Sequence, residues 1–550
     1  MKNLSYSLKQ LGLASVLMMS HLQVAANAAD ANLEKNVQLD KVVISAHSFD
    51  QGQNEMAQPA TLLTDETLER QRASSLGETL AGQAGIHNSS YGSAVGRPVV
   101  RGMSGARVKV LQDGIDSLDA SSVSPDHGVN TDVHSASKIE VLRGPATLLY
   151  GSGAFGGVVN VVDQRIPTGQ SDPQTSLRMQ YDSVNQGKTL GLNNSGFVSL
   201  KQGDEVHWRL SGNHFRSDEY ELPKLKEHEE HDEGETEEEH EEHAAEDKLA
   251  NSDVSYNNNL TLGMSYVFSS GYAGIAISES KSEYGLPGHV HHEEHEDGES
   301  AEEHEQHESE GARIEMRQQR IDLDSRFEQP LAGIDAAKFR IGFNNYRHDE
   351  IEEGVVGTKF RRQGYEGRSE LLLSPIADIS QVVGVQFGQD TFKAIGYDAV
   401  VPKTDSSNLG LFWLGKTQVD NWGLELGARI EQAQLSPNQP DSINTACADF
   451  GLSAEEYQDK DFNIHSLSFG LVRDLTILDS SDWQLIAAVT SAQRAPSTQE
   501  LFSCGAHAAT QTFDVGNPDL ESEQALNIEV GIRKTQGDLT TALNLYQNQI

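Results

Sequence analysis

The sequence predicts a mostly-β chain, in which a small N-terminal domain precedes an antiparallel transmembrane β-barrel. Three observations carry that reading. From about residue 174 onward, apolar and polar residues exchange at every second position, for instance over 177–181, 206–210, 260–268, 339–343 and 424–430. That is the period of a strand, not of a helix. The connections between these segments alternate in length. After the N-terminal leader, no run offers the roughly 18 apolar residues that a spanning helix needs.

Short connections fall at 202–205, 269–271, 374–379 and 536–538. Long ones fall at 218–252, 284–312, 348–360, 391–408, 433–461 and 492–523. Short turns at one end and long loops at the other describe an outer-membrane barrel. A soluble β-sandwich has no reason to segregate loop lengths in this way. About fifteen strands precede Ile550, an odd count where bacterial single-chain barrels are normally even. A C-terminally incomplete barrel is therefore expected, with unpaired first and last edges.

The first 28 residues read as an export signal. Lys2 and Lys9 precede a mostly apolar stretch from Leu11 to Ala26, and Ala26-Asn27-Ala28 ends it. This is the three-part layout of a secretory leader with a small-residue cleavage site.

The formal charge is −41 over 550 residues, and it is unevenly placed. Residues 226–247 hold 13 acidic side chains and one lysine, and residues 289–310 hold 10 with no lysine or arginine. The remainder carries −19. Such a field attracts cations and repels phosphate, and no basic stripe supports a nucleic-acid partner.

Both acidic runs contain the same cassette. Residues 228–243 read HEEHDEGETEEEHEEH and residues 292–307 read HEEHEDGESAEEHEQH, 64 residues further on. His228, His231, His240 and His243 recur as His292, His295, His304 and His307, with His289 and His291 just ahead of the second copy. Imidazole suits zinc, copper and nickel, while carboxylates hold hard cations and the outer shell. Low complexity alone would rarely repeat the same histidine offsets, so these loops are read as metal-capturing. Segments this charged cannot bury enough apolar surface to fold alone. His228-Glu-Glu-His231 is one residue short of the zinc-protease spacing. No nucleophile–base constellation emerges, and no enzyme is expected.

More specific writing lies ahead of the barrel. Leu39, Asp40, Lys41, Val42, Val43, Ile44, Ser45 and Ala46 form a β-prone stretch near a flexible N-terminus, suited to adding a strand to a partner's sheet edge. Val100-Arg-Gly-Met103, Arg107 to Gly114, Ile139-Glu-Val-Leu-Arg-Gly-Pro-Ala146 and Leu149 to Val162 follow. Arg494-Ala-Pro496 and Asn517-Pro-Asp-Leu520 come late in the barrel. In this order the segments resemble the TonB-dependent outer-membrane receptors. The resemblance implies a signal peptide at 1–28, an N-terminal segment at 29–50 with its TonB box at 39–46, and a plug at 51–168. It further implies a barrel at 174–550, for which the family has 22 strands. A plug filling the barrel, substrate binding on the outer face, and coupling to the inner-membrane TonB–ExbB–ExbD complex come with it. So do residence in the outer membrane of a Gram-negative cell, contact with its lipid, and a monomer. Gly151-Ser-Gly-Ala-Phe-Gly156 fits a dinucleotide fingerprint, but the next residues read as a strand where that site needs a helix.

A transport site calls for firmer ligands than mobile loops. Ser124-Pro-Asp-His-Gly128 places Asp126 and His127 together in the plug. His348, Asp349, Glu350 and Glu352 open the long loop at 348–360, and His507 stands in the one at 492–523. Zinc takes about four N, O or S ligands, and a set drawn from these three places suffices. These stretches resemble the zinc-uptake ZnuD subgroup, which implies Asp126, His127 and His507 as ligands. His348 and Glu350 complete the candidate set, with several carboxylates competing for the last place. His87 and His134 read as plain plug residues.

The function expected is import of zinc as transported ligand. Copper or nickel remains an alternative, because copper binds N/O sites more tightly. Haem or another metal chelate is the runner-up, since Arg494-Ala-Pro496, His507 and Asn517-Pro-Asp-Leu520 resemble the late motif of haem receptors. A surface metal buffer without transport is the third reading. Cys447 and Cys504 fall in the long loops at 433–461 and 492–523. In an oxidising compartment an even pair suggests one disulfide, with ligation of zinc as its rival.

Overall fold

A computed structural model describes residues 43–45, 47–49, 51–52, 55–57, 59–143, 148–154, 156–169, 172–222, 248–287, 312–352, 354–396, 399–440, 445–477, 480–507, 512–536 and 539–550. Both histidine cassettes, the signal segment and residues 39–42 and 46 lie outside them.

The N-terminal domain is built on a five-stranded sheet: β1 (Thr61–Thr64), β2 (Val108–Gln112), β3 (Ile115–Asp116), β4 (Lys138–Leu142) and β5 (Gly157–Val162), in the order β1-β4-β5-β2-β3. The run Gly-Val-Val-Asn-Val-Val of β5 is buried at every position. A near-continuous β-branched run is what a strand covered on both faces requires, and β5 pairs parallel with β2 and antiparallel with β4. Two short helices, α1 (Asp65–Gln71) and α2 (Leu76–Leu80), close one side. Ser75 caps α2 by accepting the Glu78 amide, and Leu68, Leu76 and Leu80 pack onto Leu63, Ile139, Val141 and Val159.

Among the described residues, fifteen antiparallel strands form the large sheet. They are β6 (Gln174–Asp182), β7 (Gly187–Ser199), β8 (Glu205–Ser217), β9 (Val254–Phe268), β10 (Gly271–Gly285), β11 (Arg313–Leu331), β12 (Ile334–Glu352) and β13 (Val355–Ile376). They continue as β14 (Ile379–Gly396), β15 (Thr404–Val419), β16 (Trp422–Pro437), β17 (Lys460–Ile477), β18 (Ser480–Arg494), β19 (Glu523–Lys534) and β20 (Thr541–Gln549). Each pairs with its neighbours in chain order. The alternation reads directly along β9. Leu260, Leu262, Met264 and Tyr266 are exposed on the outer face, and Thr261 and Ser265 are buried on the inner one. No helix among the described residues is long and apolar enough to cross a membrane.

Three long connections of the sequence reading are corrected. Strand β12 runs to Glu352 and β13 begins at Val355, so most of 348–360 is strand. Strand β14 extends to Gly396 and β15 begins at Thr404, and β16 and β17 likewise shorten 433–461. The cause is physical. Beyond the lipid belt the outward positions Arg347, Asp349, Lys359 and Arg361 are charged, while the inward ones mix Tyr346, His348, Glu350 and Phe360, so hydropathy stops alternating while side-chain direction does not.

The stretch expected to serve a partner's sheet edge is docked where it is described. Val43–Ile44 pairs antiparallel with Gln51–Gly52, and Ile44 is fully buried. The Ser45 amide and hydroxyl donate to Glu140 Oε1 at 2.7 and 2.9 Å. Ser48 Oγ donates to Glu370 Oε1 of β13 at 2.9 Å, and Lys338 Nζ of β12 donates to the Ser48 carbonyl at 3.2 Å.

Cys447, in helix α3 (Thr445–Asp449), and Cys504 form a disulfide with 5.9 Å between their Cα atoms. Leu435, Leu452, Tyr457, Leu501 and Phe502 pack around it.

Candidate metal centre

The outer half of β12 supplies one wall. Tyr346, His348 and Glu350 occupy alternate positions and face inward, buried to 2%, 0% and 7% exposure. Arg347 and Asp349 face the other way, and Asp349 is held by Arg361 Nη1 at 2.6 Å. Register places Met316 of β11 and Phe360 of β13 on either side of His348. The Phe360 ring stacks on the His348 imidazole at 4.4 Å.

The plug supplies the opposing wall from the loop between β3 and β4. Arg97 Nη1 donates to the carbonyls of Ser121 and Ser124 at 2.5 and 3.2 Å, and the Gly128 amide donates to Tyr284 Oη at 3.3 Å. These bonds hold Asp126 and His127 at the barrel wall, each 2% exposed. Ser124 Oγ donates to Asp126 Oδ1.

The two walls meet at three donors. His127 Nε2 lies 3.1 Å from Glu350 Oε1, and His348 Nε2 lies 3.8 Å from the same oxygen. Ligating atoms of His127, His348 and Glu350 all fall within 4.8 Å of one another. Asp126 Oδ2 stands 3.9 Å from His127 Nε2 and adds a second carboxylate at the edge. Burial works against charge on His127, but Asp126 and the Glu350 hydrogen bond outweigh it and hold the imidazole above the ordinary histidine range.

Tautomers follow from the outer bonds. His127 Nδ1 faces the Ala120 carbonyl at 3.3 Å. A carbonyl only accepts, so Nδ1 carries its hydrogen and Nε2 is left either to hold a proton for Glu350 or to ligate. His348 Nδ1 meets Tyr346 Oη at 2.9 Å, while its buried Nε2 has no hydrogen-bond partner among the described residues. Two imidazole nitrogens and a carboxylate oxygen converge here, a donor set of the N/O kind that transition-metal ions take.

The structure thus brings together Asp126, His127, His348 and Glu350, and turns Asp349 away. The His507 backbone belongs to the strand Cys504–His507, paired with Thr512–Val515, and its side chain lies outside what is described. That strand begins beside Val400, whose carbonyl accepts the Cys504 amide at 2.7 Å, and Val400 shares an apolar cluster with Phe360. His134 is a buried plug residue and His87 an exposed one. Sequence reasoning missed Tyr346, Phe360 and Met316. The i, i+2, i+4 spacing of Tyr346, His348 and Glu350 was the available signal, and it was hidden by reading 348–360 as a loop.

Two family profiles match. The "TonB-dependent Receptor Plug Domain" covers residues 52–158, and "TonB dependent receptor-like, beta-barrel" covers residues 163–550. Among solved structures, the chain is similar to a protein described as copper transporter OprC, with TM-score 0.68 and 17% identity over 89% of this chain and 72% of that one. The Serratia marcescens hemophore receptor HasR, in complex with its hemophore HasA and heme, gives TM-score 0.67 at 12% identity, covering 90% and 73%. The siderophore receptor PirA of Pseudomonas aeruginosa gives 0.57 at 17%, covering 89% and 74%.

Proposed function

The chain belongs to the TonB-dependent receptor family of the outer membrane, and we propose that the nutrient it imports is a divalent metal ion, zinc in the first place. One observation carries the reading: His127, His348 and Glu350 converge within 4.8 Å, buried, at the seam between plug and barrel. Three protein ligands with room for a fourth suit an ion that must be released again. Asp126 or His507 would supply the fourth. The centre is compact and walled by Phe360 and Tyr346, which favours a bare ion over a macrocycle the size of haem.

In this reading the two histidine-rich loops capture ions weakly and raise their local concentration. The inner centre binds tightly. TonB, engaging the segment at 39–46, shifts the plug and so withdraws His127 from His348 and Glu350, which splits the ligand set and frees the ion.

Copper is the second reading, on one specific observation. Met316 lies directly across from His348 in register, buried and on the same inward face, and a thioether is a soft ligand suited to Cu(I). Metal content of the purified receptor, measured by mass spectrometry after incubation with zinc or copper, tests both. His348→Ala is expected to abolish tight zinc binding. Unchanged zinc stoichiometry in that variant removes the centre from the account. Copper retained by wild type and lost on Met316→Leu replaces zinc with copper.

A further inference from the structure

Two cavities flank one plug segment, the upper meeting the barrel at Arg362 of β13 and the lower along β7 to β12. The upper one, about 190 Å³, is lined by Lys109, Asp116, Ser117, Asp119 and Arg362. The lower one, about 540 Å³, is lined by Asp113, Ile115, Asp322, Asp324 and Arg340. Phe268 and Gly271, which flank the short turn between β9 and β10, also line the lower cavity. It therefore sits at the end with short turns, the periplasmic end of such a barrel.

Between the cavities runs the plug segment 116–120, and its carbonyls are read one after another by side chains. Arg320 Nη1 donates to Asp116 O at 2.7 Å, and Gln318 Nε2 to Ser117 O at 2.9 Å. Asn344 Nδ2 donates to Leu118 O at 2.7 Å, and Arg362 Nη1 to Asp119 O at 2.9 Å. The fifth carbonyl, Ala120 O, faces His127 Nδ1 at 3.3 Å. Leu118 has φ +50°, in the left-handed region that a bulky side chain avoids. Such strain of order 1–3 kcal/mol persists only where the surroundings over-determine it. The barrel holds this segment against its own preference, and the segment is tied directly to a histidine of the metal centre.

We propose that the segment 116–120 is the movable partition of the transport route, so that an ion leaving the centre passes down the β11–β13 wall into the lower cavity. Gln318, Arg320, Asn344 and Arg362 are then positioning residues that hold the partition shut. This rests on the reading of the chain as a metal importer. A shift of the plug that parts His127 from Glu350 pulls on Ala120 and so on the partition. Binding and opening then share one mechanical element.

A cross-link tests the route. A Cβ placed at Gly342 would lie 3.0 Å from Ile115 Cγ2 and 2.9 Å from Arg320 Nη2, so Ile115→Cys and Gly342→Cys bring two thiols within reach of a disulfide, with Gly342→Cys alone as the control for any disturbance of Arg320. As a control on a different wall, where a Cβ at Gly427 would lie 3.2 Å from Leu148 Cδ1, the pair Leu148→Cys and Gly427→Cys is used, with the disulfide of each pair verified by mass spectrometry before uptake is read. Both double variants are placed on a Cys447→Ser/Cys504→Ser background, whose own zinc affinity and uptake are the reference, and zinc uptake by cells is followed before and after reduction. The expected result is that the oxidised Ile115/Gly342 pair stops uptake while the purified protein still binds zinc, and reduction restores transport. The oxidised control pair keeps transporting. Uptake through both cross-links, or arrest by both, overturns the route. A second variant guards against misfolding: Ser117→Cys, buried at rest, is expected to react with maleimide only during energised uptake, and its silence also overturns the route. Zinc binding to purified wild type tests the cargo separately, so a receptor that binds and imports zinc past both cross-links sinks the route alone.

Discussion

His127 Nε2 and Glu350 Oε1 stand 3.1 Å apart although 223 residues separate them in sequence. The first belongs to the plug and the second to the barrel wall. A centre assembled across that seam exists only while the plug sits in its resting place. In the proposed function, a displacement of the plug that opens a path would also dismantle the ligand set, so that tight capture and release would need no second mechanism.

The face alternation of β12 makes a sharp distinction between adjacent carboxylates. Glu350→Gln is expected to weaken zinc binding by at least the roughly 10–100-fold that even an outer hydrogen-bond partner of a metal ligand is worth. Asp349→Asn, on the opposite face and engaged with Arg361, is expected to leave the dissociation constant unchanged. Titration of purified receptor against a fluorescent zinc competitor checks both. Equal losses in the two variants would mean that the strand register does not decide ligation.

Much of this architecture was legible in the residues, and the failures have a common origin. Strand period and loop segregation marked the barrel because lipid-facing positions such as Leu260, Leu262 and Met264 alternate with Thr261 and Ser265. Near the rim the lipid signal ends, and inward positions such as His348 and Glu350 pack against plug residues that are themselves polar. Hydropathy then carries no period, so the outer ends of β12 and β13 read as loop. Asp126, His127 and His348 were legible as donor types, but their meeting was not. It depends on plug–barrel docking, which brings residues more than 200 positions apart into contact and leaves no local trace.

His134 gives the plug a dependence on acid. Both ring nitrogens lack hydrogen-bond partners among the described residues, and the ring lies 5.9 Å from that of Phe215. Burial, with Arg72 and Arg178 nearby, pushes its imidazole down to about 3. A histidine depressed in the folded state contributes stability that is fully present above its unfolded value, about 6.5. That stability is lost as pH falls towards 3. Between pH 7 and 5 the loss amounts to about 2 kcal/mol. Hydrogen exchange of the plug amides around β4 is expected to accelerate over that interval in wild type and much less in His134→Phe. Equal acceleration in both would assign the acid response to other groups.

Glu140 latches the segment that precedes the plug. It is fully buried; its Oε1 accepts the Ser45 amide and hydroxyl, and Asn160 Nδ2 donates to Oε2 at 2.9 Å. Hydrogen bonds to a charged acceptor contribute about 1.5–3 kcal/mol each. Glu140→Gln removes the charge while keeping the shape, and amides at 44–49 are expected to exchange at least about tenfold faster, the equivalent of 1.4 kcal/mol. The exchange of β5 should stay as in wild type. No change at 44–49 would show that Ile44 burial and the Ser48–Glu370 bond hold the segment without Glu140.

The Cys447–Cys504 disulfide joins α3 to the strand that carries His507, and its effect should be local. It closes a loop of 57 residues in sequence separation, which removes about 4 kcal/mol of chain entropy from the opened state in the simple loop-closure account. The barrel strands on either side, β16 and β17, pair along their length without it. Reduction, or Cys447→Ser with Cys504→Ser, is therefore expected to expose the segments 438–459 and 495–522 to protease while the barrel stays intact in detergent. Because the same strand begins beside Val400 and continues to His507, zinc affinity distinguishes two roles. If His507 supplies the fourth ligand, affinity falls with reduction and falls no further in a His507→Ala variant of the reduced protein. If Asp126 supplies it, protease sensitivity rises while affinity is unchanged, and the bridge is a brace for the loops alone.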